Sequence, residues 1–177
     1  VYLTGNATLG FNITGTYTVH DPDGINNYNV TAYDTSGMMV SSVTYNATWI
    51  DNATITLEFT IHTTVHMRAG EWQIWITIVD GVGTTTMHKI YINVSDVELV
   101  IIVYTPSNNS VYENQTVSVR VKAYYHPVRE ATEGDVTVMI LIPDTGKHIT
   151  LSYTDGFWVG VVALPEGKHK IIIIAYD

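Results

Sequence analysis

Apolar and polar residues alternate with a period of two along nearly the whole chain. From Leu9 to Val19 the odd positions read Leu9, Phe11, Ile13, Gly15, Tyr17 and Val19, and the even ones Gly10, Asn12, Thr14, Thr16 and Thr18. That is a strand with one apolar and one hydroxyl-rich face. Similar runs predict strands over Tyr28–Asp34, Met38–Tyr45, Thr54–His62, Glu71–Val79 and Thr85–Val94. Turn chemistry separates them at Asp21-Pro22-Asp23-Gly24, Thr35-Ser36-Gly37, Asp51-Asn52, Ala69-Gly70 and Asp80-Gly81-Val82-Gly83. No window carries a sustained 3.6-residue stripe with caps, so the fold class predicted is all-β.

A second series follows Asn93-Val94-Ser95-Asp96, with strands over Glu98–Tyr104, Thr116–Tyr124, Val136–Ile142, His148–Tyr153, Phe157–Leu164 and Lys168–Tyr176. Short strands at this spacing predict two tandem β-sandwiches, residues 1–96 and 97–177, joined by a linker at Ser95–Val97 too short to be flexible. Both halves read as one repeat. Gly70-Glu71-Trp72-Gln73-Ile74 aligns with Gly156-Phe157-Trp158-Val159-Gly160, each ahead of an Ile-rich run. About seven strands are counted in the first module and six in the second, whose last strand is expected to be missing. Two explanations stand side by side: the chain is a piece of a longer array, or a strand from another subunit completes the sandwich. The N-terminal segment is the candidate donor, because Val1, Leu3, Gly5, Ala7 and Leu9 share one face.

Two phrases carry a family resemblance. Gly15-Thr-Tyr-Thr-Val-His-Asp-Pro-Asp-Gly24 followed by Gly70-Glu-Trp-Gln-Ile-Trp-Ile-Thr-Ile-Val-Asp-Gly81 resembles the immunoglobulin-like (fibronectin III- and cadherin-like) repeats of archaeal and bacterial cell-surface proteins. Asp155-Gly-Phe-Trp-Val-Gly-Val-Val-Ala-Leu-Pro-Glu-Gly167 with Lys168–Asp177 is similar to the same superfamily. The resemblance implies two tandem immunoglobulin-like sandwiches used as stalk, lattice or adhesion modules, as in surface-layer proteins, surface filaments and secreted-protease extensions. It rests on fold-encoding turns and implies no activity.

Composition narrows the classes. The chain of 177 residues is 46% hydrophobic and 14% charged, which excludes a disordered chain. Eight Lys+Arg against seventeen Asp+Glu give a net charge of −9, so no nucleic-acid partner and no anionic membrane surface are expected. The absence of cysteine excludes disulfides, zinc–thiolate sites and thiol nucleophiles. The longest apolar runs, Leu99–Tyr104 and Ile171–Tyr176, are too short for a membrane span. The chain opens directly on a strand pattern at Val1, and reads as a mature or excised segment.

The strongest chemical signal is in the asparagines. Eight of the eleven begin an Asn-X-Ser/Thr triplet: Asn6, Asn12, Asn29, Asn46, Asn52, Asn93, Asn108 and Asn114. With 33 Ser and Thr in the chain, chance supplies about two such triplets. Asn12, Asn46 and Asn93 fall on the polar phase of their strands, and Asn29 opposes Tyr28 and Val30, so glycans there would point to solvent. Covalent N-glycans on several of these sites are expected. Sequon density, absence of cysteine and β-branched richness together point to an archaeal cell surface.

Asp21 and Asp23, flanking Pro22 ahead of Gly24 and Asn26, offer oxygens at alternate positions that suit Ca²⁺, though an Asx-capped turn is the reading the pattern favours. Asp96 and Glu98 at the linker are the second candidate pair, able to clamp Ca²⁺ between modules. His62 and His66, four apart in a strand-like run, lack the Glu of a metalloprotease helix, and no nucleophile elbow, phosphate loop or dinucleotide fingerprint occurs. The protein is expected not to be an enzyme and to require no cofactor. Trp49, Trp72, Trp75 and Trp158 raise a carbohydrate-binding alternative; Trp72 and Trp158 are assigned to the cores, and Trp75, of opposite parity to Trp72, to the outside. The function expected is a structural extracellular module of a glycosylated surface protein, self-associating or packed on neighbouring domains. The alternative is an accessory stalk or carbohydrate- or adhesion-binding module of a secreted hydrolase or adhesin.

Overall fold

In a computed structural model of the protein, residues 2–4, 7–112 and 115–177 are described. The chain is all-β and divides into two compact units, Val1–Val97 and Glu98–Asp177.

In the first unit, β1 (Tyr2–Thr4), β2 (Ile13–His20), β6 (Thr54–Ile61) and β5 (Val43–Asp51) form one antiparallel sheet in the order β1-β2-β6-β5. β4 (Met39–Val40), β3 (Ile25–Tyr33), β7 (Gly70–Asp80) and β8 (Thr85–Val94) form the other, in the order β4-β3-β7-β8. Two four-stranded sheets in this order are the immunoglobulin-like sandwich with an added edge strand. The alternation read from the sequence places one face of each sheet in a shared core. Ile13, Ile55, Leu57, Phe59 and Ile61 come from the first sheet, and Val30, Ala32, Trp72, Ile74, Ile76 and Ile78 from the second.

The second unit has a sheet of β11 (Arg129–Glu130), β10 (Thr116–His126), β15 (Phe157–Ala163) and β14 (Ser152–Thr154), with β9 (Glu98–Thr105) on the other edge of β10. β13 (Lys147–Thr150), β12 (Thr137–Ile142) and β16 (Ile172–Tyr176) form a three-stranded sheet in that order. The buried residues are Val117, Val119, Val121, Ala123, Tyr125, Trp158 and Val162 on the first sheet and Val138, Ile140 and Ile142 on the second.

The register corrects the internal repeat. Trp72 and Trp158 are both buried, as their parity predicts. But Trp72 sits on β7, between β3 and β8, whereas Trp158 sits on β15, between β10 and β14, the place β6 occupies in the first unit. The Gly-aromatic phrases therefore belong to opposite sheets. Any Gly turn followed by an inward aromatic looks the same locally, and only pairing partners tell the strands apart. Likewise the Ile-rich β16 corresponds to β7, not to β8. β7 buries Trp72, Ile74, Ile76 and Ile78 between two neighbours, while β16 forms a sheet edge and buries none of its residues fully.

Three smaller differences have local causes. Met38–Tyr45, read as one strand, divides between β4 and the start of β5, which lie on different sheets and the second of which runs on to Asp51; the break at Ser41-Ser42 lets the chain cross over. His62 and His66 lie beyond β6, which ends at Ile61, so they do not share a strand face. The N-terminal segment offered as a donor pairs within its own unit: Tyr2, Leu3 and Thr4 lie opposite Thr16, Gly15 and Thr14.

Candidate functional site

The turns linking β2 to β3, β5 to β6 and β7 to β8 meet at one end of the first unit. Asp21 N–H donates to Ala53 O (2.8 Å), Ile25 N–H to Asn52 O (3.3 Å) and Gly81 N–H to Gly24 O (3.0 Å). The fit allows no side chain at Gly81, where a Cβ would stand 2.3 Å from the backbone oxygen of Asp23. Gly24 adopts a φ of +81°, which closes the β2–β3 turn and favours glycine. This knot brings Asp21, Asp23 and Asp80 together, one oxygen or more of each lying within 4.8 Å of the others. Asp80 is buried at 7% exposure. Its Oδ1 accepts from Val82 N–H (3.0 Å) and Thr84 N–H (2.7 Å), and Asp21 Oδ1 accepts from Asp23 N–H (3.1 Å).

Three converging carboxylates form a hard-oxygen donor set that suits Ca²⁺ completed by water, with glycine allowing the close backbone approach. Asp21 and Asp23 were legible as candidates. Asp80 reads in the sequence only as the start of an Asp-Gly turn, and 56 residues between it and Asp23 hide its place beside them. Asp96 and Glu98 join no such group among the described residues, and the two belong to different units. Asp96 Oδ1 accepts from Val97 N–H (2.8 Å), a local cap.

Of the sequon asparagines, Asn6 and Asn114 lie outside the described residues. The other six, Asn12, Asn29, Asn46, Asn52, Asn93 and Asn108, are all exposed. Asn46 lies on β5 opposite Glu58, between two threonine rows of an outer face: Thr14, Thr60 and Thr44 in one row, Thr18, Thr56 and Thr48 in another. Thr18 and Thr56 hydroxyls are 2.9 Å apart. Asn12 and Asn29 use Oδ1 as acceptor, toward His62 Nδ1 (3.1 Å) and from Tyr45 O–H (3.0 Å). The amide nitrogen, the atom a glycan would be joined to, is thereby turned away from those contacts.

The aromatics divide as their parity predicts. Trp72 is fully buried and donates its indole N–H to Arg68 O (2.7 Å). Trp75 faces outward beneath Lys89 Nζ (4.3 Å from the ring centroid) and beside Tyr33 (4.5 Å). Trp49 is half exposed on β5, at a shallow depression lined by Gly24, Ile25, Asn26, Asn52 and Gly81. His62 is engaged by Asn12 and Thr44.

Titratable groups are perturbed mainly in the second unit. His169 Nδ1 pairs with Asp144 while its Nε2 lies 2.9 Å from Pro165 O. Two acceptors favour the doubly protonated ring, so hydrogen bonding to Asp144 raises the His169 pKa and lowers that of Asp144. Burial raises the Tyr125 phenol to about 12.

No protein-family model and no curated protein matches the chain. Among solved structures, the chain is similar to latent PorU of Porphyromonas gingivalis, at 16% identity over 99% of this chain and a TM-score of 0.35. It spans only 16% of PorU's length. It is also similar to the C-terminal domain of the Streptococcus agalactiae polypeptide BspA (10% identity, 90% of this chain, 78% of that one, TM-score 0.32). A third is the secreted serine protease VesC of Vibrio cholerae (10% identity, 94% of this chain, 42% of that one, TM-score 0.28). At these scores nothing about the activity or partners of this chain follows from them.

Proposed function

We propose that the chain is a structural, non-catalytic extracellular module of a glycosylated cell-surface protein, a surface layer or filament, acting as spacer and assembly unit. The observation that supports this reading best is the exposure of all six described sequon asparagines: Asn29, Asn46 and Asn93 on strands whose inward residues form the core, and Asn12, Asn52 and Asn108 outside the strands. Glycans at these positions would cover polar faces without disturbing the packing. The test is glycopeptide mass spectrometry of the protein from its native source. Hexose-containing adducts on several of Asn12, Asn29, Asn46, Asn52, Asn93 and Asn108 are expected; unmodified asparagine at every sequon would overturn the reading.

The alternative, a carbohydrate- or adhesion-binding module, is favoured by half-exposed Trp49 beside its depression. Asn52 lines the same depression, so a glycan there would fill it. Within the structural reading, Asp21, Asp23 and Asp80 are assigned as a Ca²⁺ site that fixes the loop end, because three carboxylates from two turns would otherwise repel one another.

A further inference from the structure

The two units use equivalent sheets in opposite ways. In the first, the outer face of β1-β2-β6-β5 is hydroxyl-rich and carries sequon Asn46 on its edge strand β5. In the second, β9, β10 and β15 contain no asparagine. The outer face there carries Arg120 and Lys122 on β10, Ile102 and Tyr104 on β9, and Phe157 and Val161 on β15. Arg120 lies 3.5 Å from the Phe157 ring centroid and Lys122 Nζ 4.7 Å from it, and Tyr104 meets the same ring edge-on at 5.2 Å. Lys122 is balanced by Glu130 at 2.7 Å, whereas no carboxylate pairs with Arg120 among the described residues. Ile102, Tyr104 and Val161 are 45%, 48% and 63% exposed. Aromatic, aliphatic and arginine side chains on one exposed face make up the composition of a protein interface.

The sequence supplies the charge complement. The first unit holds eight carboxylates against two cations, Arg68 and Lys89; the second holds six cations against nine carboxylates, so the complement lies in Arg120 and Lys122 of this face and not in the second unit as a whole. Six of the eight sequons lie in the first unit; the other two, Asn108 and Asn114, fall between β9 and β10 in sequence and on neither strand.

We infer that the outer face of β9-β10-β15 is a docking surface for the acidic first unit of a second copy of this chain. Such a contact is heterologous. Each copy offers a face and an acceptor, so the contact can repeat from copy to copy, closing into a ring or continuing as an open chain. This deepens the assembly role proposed above and rests on that reading.

The test uses the full chain in sedimentation velocity, with the double variant Arg120→Glu/Val161→Asp labelled fluorescently. Wild type is expected to sediment faster with rising concentration, and less so at high salt, which screens the exposed charges. The variant alone is expected to stay monomeric, its self-association weakened about tenfold or more, with an unchanged thermal unfolding curve. Mixed with excess unlabelled wild type, it is expected to be shifted, because its intact first unit still accepts a wild-type face. A variant that no wild type shifts would mean the face meets itself, and a wild type monomeric throughout would mean there is no such surface; either result overturns the inference. A variant that self-associates like wild type places the contact elsewhere and overturns it too. If Arg120→Glu/Val161→Asp unfolds early, Arg120→Gln alone must still weaken association. None of these outcomes reads glycosylation or cell location, so the surface-module reading stands or falls separately.

Discussion

Gly81→Ala tests how the loop end of the first unit is held. The Cβ it introduces would stand 2.3 Å from Asp23 O, where real contacts essentially never fall below 3.0 Å, so the two turns must part by about 0.7 Å. The obstructing atom is backbone and cannot rotate aside. Asp23 N–H is tied to Asp21 Oδ1 and Gly24 N–H to Asp21 O, so the β2–β3 turn moves as a body or not at all. Overpacking of this kind costs about 1–3 kcal/mol, and losing the Gly81–Gly24 hydrogen bond adds about 1 kcal/mol, giving about 2–4 kcal/mol for the first unit. With a urea slope of about 2 kcal/mol per molar, the midpoint falls by about 1–2 M. Hydrogen exchange in a urea series reads this directly, with β3 and β7 peptides as reporters and β10 and β12 peptides as the internal control. Gly83→Ala is the comparison. Its φ of +90° is strained for alanine, but a Cβ there meets nothing within 4 Å, so about 1 kcal/mol is expected. A Gly81→Ala first-unit midpoint within about 0.3 M of wild type would refute the argument that this close approach holds the turns together.

Other consequences are equally open to measurement. Trp72→Ala, emptying a fully buried site, is expected to cost the first unit about 3–5 kcal/mol, and Trp75→Ala, on the outer face, distinctly less; equal losses in denaturant titrations would contradict the parity assignment. Asp80→Asn keeps the Oδ1 acceptor for Val82 and Thr84 but removes one charge, and should weaken Ca²⁺ binding about tenfold or more in calorimetry; wild type giving no heat with millimolar Ca²⁺ would remove the site. The Asp144–His169 pair sets a pH window. The raised His169 pKa gives stability that is full below the ordinary histidine value and is lost as pH rises through the folded value. The lowered Asp144 pKa gives stability present above its ordinary value and lost as pH falls through the folded one. In an NMR titration, Asp144→Asn should return His169 toward its ordinary pKa, and an unmoved titration would show that Asp144 is not the cause.

Much of this molecule was legible in the one-dimensional pattern. The period-two alternation that puts Ile13, Leu57, Ile74 and Val119 inside and Thr14, Asn46 and Arg120 outside needs only the geometry of a pleated strand, in which neighbouring side chains point to opposite faces. Turn glycines and Asp-Gly steps marked strand ends for the same local reason. The exposure of Asn29, Asn46 and Asn93 followed from parity too, as did the outward Trp75.

Pairing is not local, and only the tertiary structure decided it. Trp72 and Trp158 follow similar Gly turns yet belong to opposite sheets, because strand identity is fixed by which neighbours supply the backbone hydrogen bonds. Asp80 joins Asp21 and Asp23 because Gly81 lets two distant turns touch, a contact that leaves no periodic trace. Arg120, Tyr104 and Phe157 stand on three different strands, and nothing in the sequence singled them out. Register alone made them one face, since a slip of a single residue on any of those strands would have turned its side chains to the other side.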